Sequence, residues 1–183
     1  YSFFESFYYG TNLKTGQKVR GHHVVIIPTR PDGITGEILW PQYLCGVPTD
    51  DDGEDPVGTR IEGAFRLVER MLGAMRANDA DAVAATFQSK AYVALRDITG
   101  PSGAAVACDS RAQIQEYFDR LFRVFEVVDI KVLNRISDTW YVFVDMLLEL
   151  RRRDDPHSPA FEVRTAQTFG IGVDGELAGL VGY

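Results

Sequence analysis

Near Val127 the apolar residues change period, and this switch limits the possible folds more than any other feature of the chain. Upstream, Ile61, Phe65, Val68, Leu72 and Met75 recur at steps of 4, 3, 4 and 3 behind Thr59-Arg60-Ile61-Glu62. That is a capping box followed by one apolar helix face. Asp79 is placed to cap a short second helix carrying Val83 and Phe87 and ending at Ser89-Lys90. Tyr92, Val93 and Leu95 predict a strand reaching Asp97, with ITGPSG as the loop after it. Ser110-Arg111-Ala112-Gln113 is a second capping box, opening a helix with Ile114, Phe118, Leu121 and Phe125 on one face. Downstream come VVDIKVLNRI, a turn at Ser137-Asp138, the run TWYVFVDMLLEL, a polar loop RRRDDPHSP, AFEVRTAQTFGIGV, a turn at Asp174-Gly175 and a last strand ending at Tyr183. Helices first and a four-stranded meander afterwards predict an α+β domain over residues 59–183, its curved mixed/antiparallel sheet wrapped around three N-terminal helices.

Charge narrows the partners. With Lys+Arg 19 against Asp+Glu 26 the formal net charge is −7, so a general affinity for phosphate backbones or anionic membranes is not expected. No apolar run approaches the ~18 residues that would span a bilayer, so no membrane insertion is expected. The chain opens on Tyr1 and YSFFESFYYG without the layout of a signal peptide, which suggests a processed product or a fragment. Cys45 and Cys108 are too few and too far apart for a disulfide framework or a thiolate metal site and read as buried thiols. The acidic stretch at residues 49–58 reads as a linker; as an EF-hand it fails, because Gly53 at the loop's glycine position leaves Pro48 and Thr59 where acidic ligands belong. No phosphate-binding glycine loop, nucleophile elbow or zinc motif is present, so no cofactor and no metal is expected.

The order helix, helix, strand, helix, four strands resembles the cone-shaped superfamily of nuclear transport factor 2, ketosteroid isomerase and the SnoaL-like polyketide cyclases. ANDADAVAATF between the first two helices, SRAQIQEYFDRLF and the closing VDGEL carry the likeness. It implies a fold rather than a function, because the superfamily hosts enzymes, binding modules and assembly subunits. Counted from those motifs, the isomerase positions for the oxyanion-holding Tyr, the proton-moving Asp and the protonated Asp fall on Met71, Leu95 and Gln167. None of these side chains performs the corresponding step, which argues against isomerisation of that type. Asp97 lies two residues beyond Leu95 on the same strand face and is a substitute only if the strand bulges.

Residues 1–48 follow the plan of the chain's last strands. Val19-Arg20 corresponds to Val163-Arg164, Asp32-Gly33 to Asp174-Gly175 and Tyr43 to Tyr183. The expected organisation is the last three strands of an incomplete first cone repeat, the linker, and a complete cone domain. A single domain with an added hairpin layer is the rival.

In YVFVDMLLEL the resemblance turns Tyr141, Phe143, Asp145 and Leu147 into the cavity, making Asp145 the first candidate acid or base and Asp97 the second. A core carboxylate paired with Arg164 is the bland alternative for Asp145. Tyr92, Arg164 and Gln167 complete the expected cavity lining. Trp140, Val142, Val144, Met146 and Leu148 then form an apolar outer face, expected to meet a protein partner: the preceding repeat, a second copy or a larger complex. His22 and His23 in the front strand, His157 in the loop and the Arg151–Arg153 run read as structural or solvated. The leading reading is therefore a non-catalytic assembly module acting through that face. The alternative is a cofactor-independent SnoaL-like enzyme or binding protein for a small apolar ligand.

Overall fold

The computed structural model describes residues 2–11, 13–27, 47–48, 61–100, 104–137, 141–155, 157–172 and 174–182. Trp140, Cys45, Thr59, Asp138, the Asp32-Gly33 turn, Tyr43, Tyr183 and the acidic stretch 49–58 lie outside them. The chain divides into two units, Tyr1–Pro56 and Val57–Tyr183.

The first unit is a three-stranded sheet of order β1-β2-β3, with β1 Ser2–Thr11, β2 Lys18–Ile27 and β3 Val47–Pro48. The β1–β2 hairpin runs antiparallel from Ser2↔Ile27 to Thr11↔Lys18. β3 pairs antiparallel with the start of β2, Val47 with Arg20 and Pro48 with Val19.

The second unit carries α1 Ile61–Arg76, α2 Ala80–Ala85, β4 Phe87–Arg96, β5 Ala105–Cys108, α3 Arg111–Val124, β6 Phe125–Ser137, β7 Tyr141–Arg152, β8 Phe161–Ile171 and β9 Leu177–Gly182. The six strands form one open sheet of order β5-β4-β9-β8-β7-β6. Every neighbouring pair is antiparallel except β4–β9. Three helices and a meander occur in the expected order.

Two boundaries differ from the sequence reading. The second helix stops at Ala85, where Thr86 turns its hydroxyl back onto the Val83 carbonyl at 2.7 Å, so Phe87 opens β4 instead of facing from the helix. Phe125 likewise leaves α3: its backbone is extended (φ −124, ψ 146) and begins β6. The Asp79 side chain caps α2 through the Ala82 N–H at 2.9 Å. Ser110 stands at the N-cap of α3 without a side-chain cap bond; the Gln113 side chain accepts from the Asp109 N–H instead.

The α1–α2 turn is tied to the sheet by one residue. Asn78 adopts a left-handed backbone (φ 55), a conformation Asn tolerates better than most residues. Its amide donates to the Val127 carbonyl at 3.1 Å and accepts from the Val127 N–H at 2.8 Å. At the other end of the unit, Arg111 donates to the Phe87 carbonyl and to Glu176, joining α3 to β4 and to the turn before β9.

The core lies between the helices and one face of the sheet. Leu67, Val68, Met71, Leu72 and Met75 of α1 and Ile114, Phe118 and Leu121 of α3 pack with Val142, Val144, Met146, Leu148 and Leu150 of β7. This corrects the expected facing of β7. Val142, Val144, Met146 and Leu148, read as part of an outer partner face, are the helix-packed core. Tyr141, Phe143, Asp145 and Leu147 belong to the opposite face, since side chains alternate along a strand. Register gives the physical reason: Val132 and Thr165 flank Met146, Ile130 and Val163 flank Leu148, while Lys131 and Arg164 flank Leu147. The charged neighbours share a face with Asp145, and that face cannot pack on apolar helices without burying charge. Tyr141 and Phe143 are buried on it nonetheless.

Candidate functional site

A cavity of about 200 Å³ opens between the helices and the concave side of the sheet. The 4-residue spacing of Met71 and Met75 brings both to it from α1. Tyr117, Phe118 and Leu121 reach it from α3, Leu95 and Arg96 from the end of β4, and Ile98 from the loop beyond. Leu148 on β7, Val163, Arg164, Thr165 and Gln167 on β8 and Gly182 on β9 complete the wall. The wall is mostly apolar with a few polar groups, as in small-molecule sites.

Two polar side chains in it stand out. Gln167 is 6% exposed, and its Oε1 is buried without a hydrogen-bond partner. A buried acceptor left unpaired costs roughly 1–3 kcal/mol. Tyr117 is buried too; desolvation first, then the nearby Asp97 charge, push its pKa well up, so the phenol keeps its proton and serves as a hydrogen-bond donor.

Gly182 lies at this wall for lack of space. A Cβ there would stand 2.7 Å from Gln167 Cγ, 2.8 Å from Leu95 Cδ2 and 3.3 Å from the Ala166 carbonyl. Those separations are below van der Waals contact, so only glycine lets Gln167 and Leu95 lie as they do.

Asp97 is held beside the cavity by its own loop. It accepts from the Thr99 N–H at 2.9 Å and the Thr99 hydroxyl at 2.6 Å. It also faces Arg120 at 3.7 Å, and Arg120 in turn lies 5.5 Å from the centre of the Tyr117 ring. Desolvation works against its charge, but the Thr99 bonds and Arg120 together outweigh it, and the pKa falls below the usual carboxylate value. These contacts make it an anchor of the loop after β4, a role that needs the carboxylate ionised.

Asp145 is 4% exposed and receives both Arg164 Nε at 3.1 Å and Nη2 at 2.8 Å. This bidentate pair is the structural alternative weighed from the sequence, and it sits on the face away from the helices. Asp145, Tyr141 and Phe143 are therefore corrected from cavity lining to the other side of the sheet. Tyr92 is half exposed, because on β4 it alternates with the buried Ala91 and Val93. Gln167 remains at the cavity; Arg164 borders it on β8 while its guanidinium is turned to Asp145 on the other face. Val142, Val144 and Met146 belong to the core and Leu148 to the cavity wall, so the outer apolar face on which an assembly role rested is not formed by them. Trp140 and the side chains of His22 and His23 lie outside the described residues, while His157 is exposed. The arginine run is neutralised locally: Arg151 meets Glu126 at 3.1 Å and Arg152 meets Asp154 at 2.6 Å.

Met71, Leu95 and Gln167, located by counting from the motifs, all line this one cavity. Sequence reasoning missed Tyr117, Met75 and Gly182. Tyr117 had a signal: it falls at i+3 from Ile114 and i−4 from Leu121, where an aliphatic residue would extend the apolar face. Among the described residues no carboxylate lines the cavity, no cluster of His, Cys, Asp or Glu could hold a metal, and no helix is long and apolar enough to cross a membrane.

No protein-family model and no curated protein matches the sequence. Solved structures share its fold. The Δ5-3-ketosteroid isomerase from Mycobacterium sp. is 16% identical with a TM-score of 0.54 over 66% of this chain and 92% of its own. A hypothetical protein of ketosteroid isomerase-like fold from Catenulispora acidiphila, in complex with trimethylamine, is 15% identical with a TM-score of 0.54 over 64% and 83%. A putative polyketide cyclase from Xanthomonas campestris is 16% identical with a TM-score of 0.52 over 68% and 91%. Likeness at such identities establishes the fold alone, the cone of these ketosteroid isomerase-like structures.

Proposed function

We propose that the cone is a binding chamber for a small, largely apolar molecule, of the SnoaL-like kind that works without a cofactor. The observation that carries this reading is the cavity itself, about 200 Å³ with a mostly apolar wall into which Tyr117 brings a protonated phenol. With Met71 and Leu95 at two isomerase positions, the wall offers grip and hydrogen bonding in place of a carboxylate base. Structures of similar fold with trimethylamine and with estradiol-17β-hemisuccinate support a ligand-holding cone.

Titration of the protein with small aromatic probes, followed by NMR, tests the reading. Shifts are expected at Tyr117, Val163 and Gln167 and should vanish in Val163→Trp, which fills the chamber from its half-buried β8 wall. Probes that perturb none of these residues, or that bind Val163→Trp as well as the wild type, would refute it.

We also read residues 1–48 as the last strands of an incomplete first repeat. In support, β1 and β2 pair antiparallel as β7 and β8 do, while the segment that would match β9 lies outside the described residues. A structure of a longer parent chain with cone-type helices preceding β1 is the expected finding, and any other preceding fold would exclude it.

A further inference from the structure

We infer that the outer edge of β6 is closed by side chains against the addition of a strand, and that the partner it keeps out is β6 of a second copy of this chain. β6 ends the six-stranded sheet, and among the described residues no strand pairs with its far side. It is 13 residues long, with Val128, Leu133 and Ile136 exposed along it. A long edge carrying apolar side chains is a template for another chain unless its backbone groups are otherwise engaged.

In an antiparallel pair, residues whose N–H and C=O both bond the neighbour alternate with residues whose groups both point away from it. A regular strand therefore repeats its outward residue at every second position. β6 does not, because its ladder with β7 skips Val128 and Leu133. These two bulges shift the outward set to Val127, Ile130, Val132 and Arg135.

Side chains engage three of those four. The Asn78 amide bonds both the N–H and the carbonyl of Val127, at 2.8 Å and 3.1 Å, as a residue of a neighbouring strand would. Arg76 Nη2 donates to the Ile130 carbonyl at 2.5 Å, and the Ile130 N–H donates to Asp129 Oδ1 at 2.7 Å. Arg76 Nε lies 3.5 Å from the same Asp129 oxygen, so the two caps of Ile130 hold each other in place. The Arg135 N–H donates to Asn134 Oδ1 at 2.8 Å, and the Arg135 guanidinium lies 3.9 Å from the centre of the Phe65 ring on α1.

The device occurs twice along the strand. Asp129 and Asn134 each follow a bulged residue directly, and each caps the N–H of the next residue. Arg76 and Asn78, two positions apart at the end of α1, reach outward residues three positions apart because the Val128 bulge opens that spacing. The end of α1 thus stands in for a neighbouring strand along the first half of the edge. Exposed Lys131 adds a charge of the kind that blunts sheet edges.

The full chain carrying Arg76→Ala, Asp129→Ala and Asn134→Ala tests the inference, with Asn78 left in place. The Arg76 and Asp129 side chains are 41% and 62% exposed, so the triple variant empties no core and should keep the wild-type circular dichroism spectrum. In sedimentation velocity its weight-average mass should rise with concentration to at least twice that of the wild type at the same concentration. Exchange of the Ile130 and Val132 amides should slow as the mass rises, because the added strand now bonds them. Adding Leu133→Lys and Ile136→Lys, which charges the edge without restoring a cap, should return the mass to that of the wild type. A folded triple variant with wild-type mass at every concentration, or one that gains mass with no slowing at Ile130 and Val132, would overturn the inference. If the triple variant does not fold, Asp129→Ala with Asn134→Ala decides: a rise in mass with slowed Ile130 exchange supports the closed edge, and a folded double variant of unchanged mass overturns it.

Discussion

Asn78 is where a single side chain should cost the most stability. Replacing it with Ala removes two hydrogen bonds to Val127, one at 2.8 Å and one at 3.1 Å. Losing the bond to the carbonyl costs about 1 kcal/mol net, and stranding the Val127 N–H out of water costs roughly 1–3 kcal/mol in place of its own bond. Val127 is 2% exposed, so water cannot easily replace the lost partner. Ala must also occupy the left-handed backbone (φ 55), at about 1 kcal/mol. The sum is about 3–5 kcal/mol for Asn78→Ala. Asn78→Gly loses the bonds but not the backbone fit and should cost about 1 kcal/mol less. For a chain of this size 1 kcal/mol shifts the melting temperature by roughly 2–4 °C, so Asn78→Ala should melt on the order of 10 °C lower, with Asn78→Gly between it and wild type. Thermal unfolding followed by circular dichroism measures both. If both variants melt within 2 °C of wild type, or if Gly is worse than Ala, the reasoning about this turn is wrong.

Asp145→Asn should lower stability by about 2 kcal/mol, less than for a fully buried pair because the Arg164 side chain is 61% exposed, and should leave probe binding unchanged. Loss of binding in a folded Asp145→Asn protein would return Asp145 to the site. Asp97 has a depressed pKa, so its contribution is present above the unfolded carboxylate pKa and is lost as pH falls through the lower folded value. The stability gap between wild type and Asp97→Asn, no more than about 1 kcal/mol at pH 7, should close on acidification, as chemical denaturation at several pH values can show. Tyr117→Phe, which removes a protonated hydroxyl from the wall, should weaken a ligand carrying an acceptor and spare naphthalene; equal losses for both would place the hydroxyl outside the contact.

The order of elements was legible because the apolar period is strong in α1, α3 and the meander, and because turns such as Asn78-Asp79 and Asp174-Gly175 carry their own chemistry. The facing of β7 was not. Its residues are apolar on both sides, so alternation alone could not say which side meets the helices. The deciding signal lay across the strands, in Lys131 and Arg164 beside Leu147 against Ile130 and Val163 beside Leu148, and using it requires the register. Met71, Leu95 and Gln167, placed by counting from motifs, all line the cavity. Gly182 was invisible: a glycine near the end of a strand says nothing until the atoms that would meet its Cβ are known.

The position of β9 shapes how this unit forms. It is the unit's last element in sequence, yet it lies between β4 and β8. Until it docks, the backbone bonds leave two separate ladders, β5-β4 and β8-β7-β6, each with an unpaired edge open to another chain. The β4–β9 contact joins residues as distant as Phe87 and Leu177, a loop whose closure is entropically slow. The strand that supplies Gly182 to the chamber is therefore also the seam that converts two ladders into one sheet. A nascent unit lacking it has neither a closed wall nor protected edges, and is most exposed to misassociation just before its final residues are made.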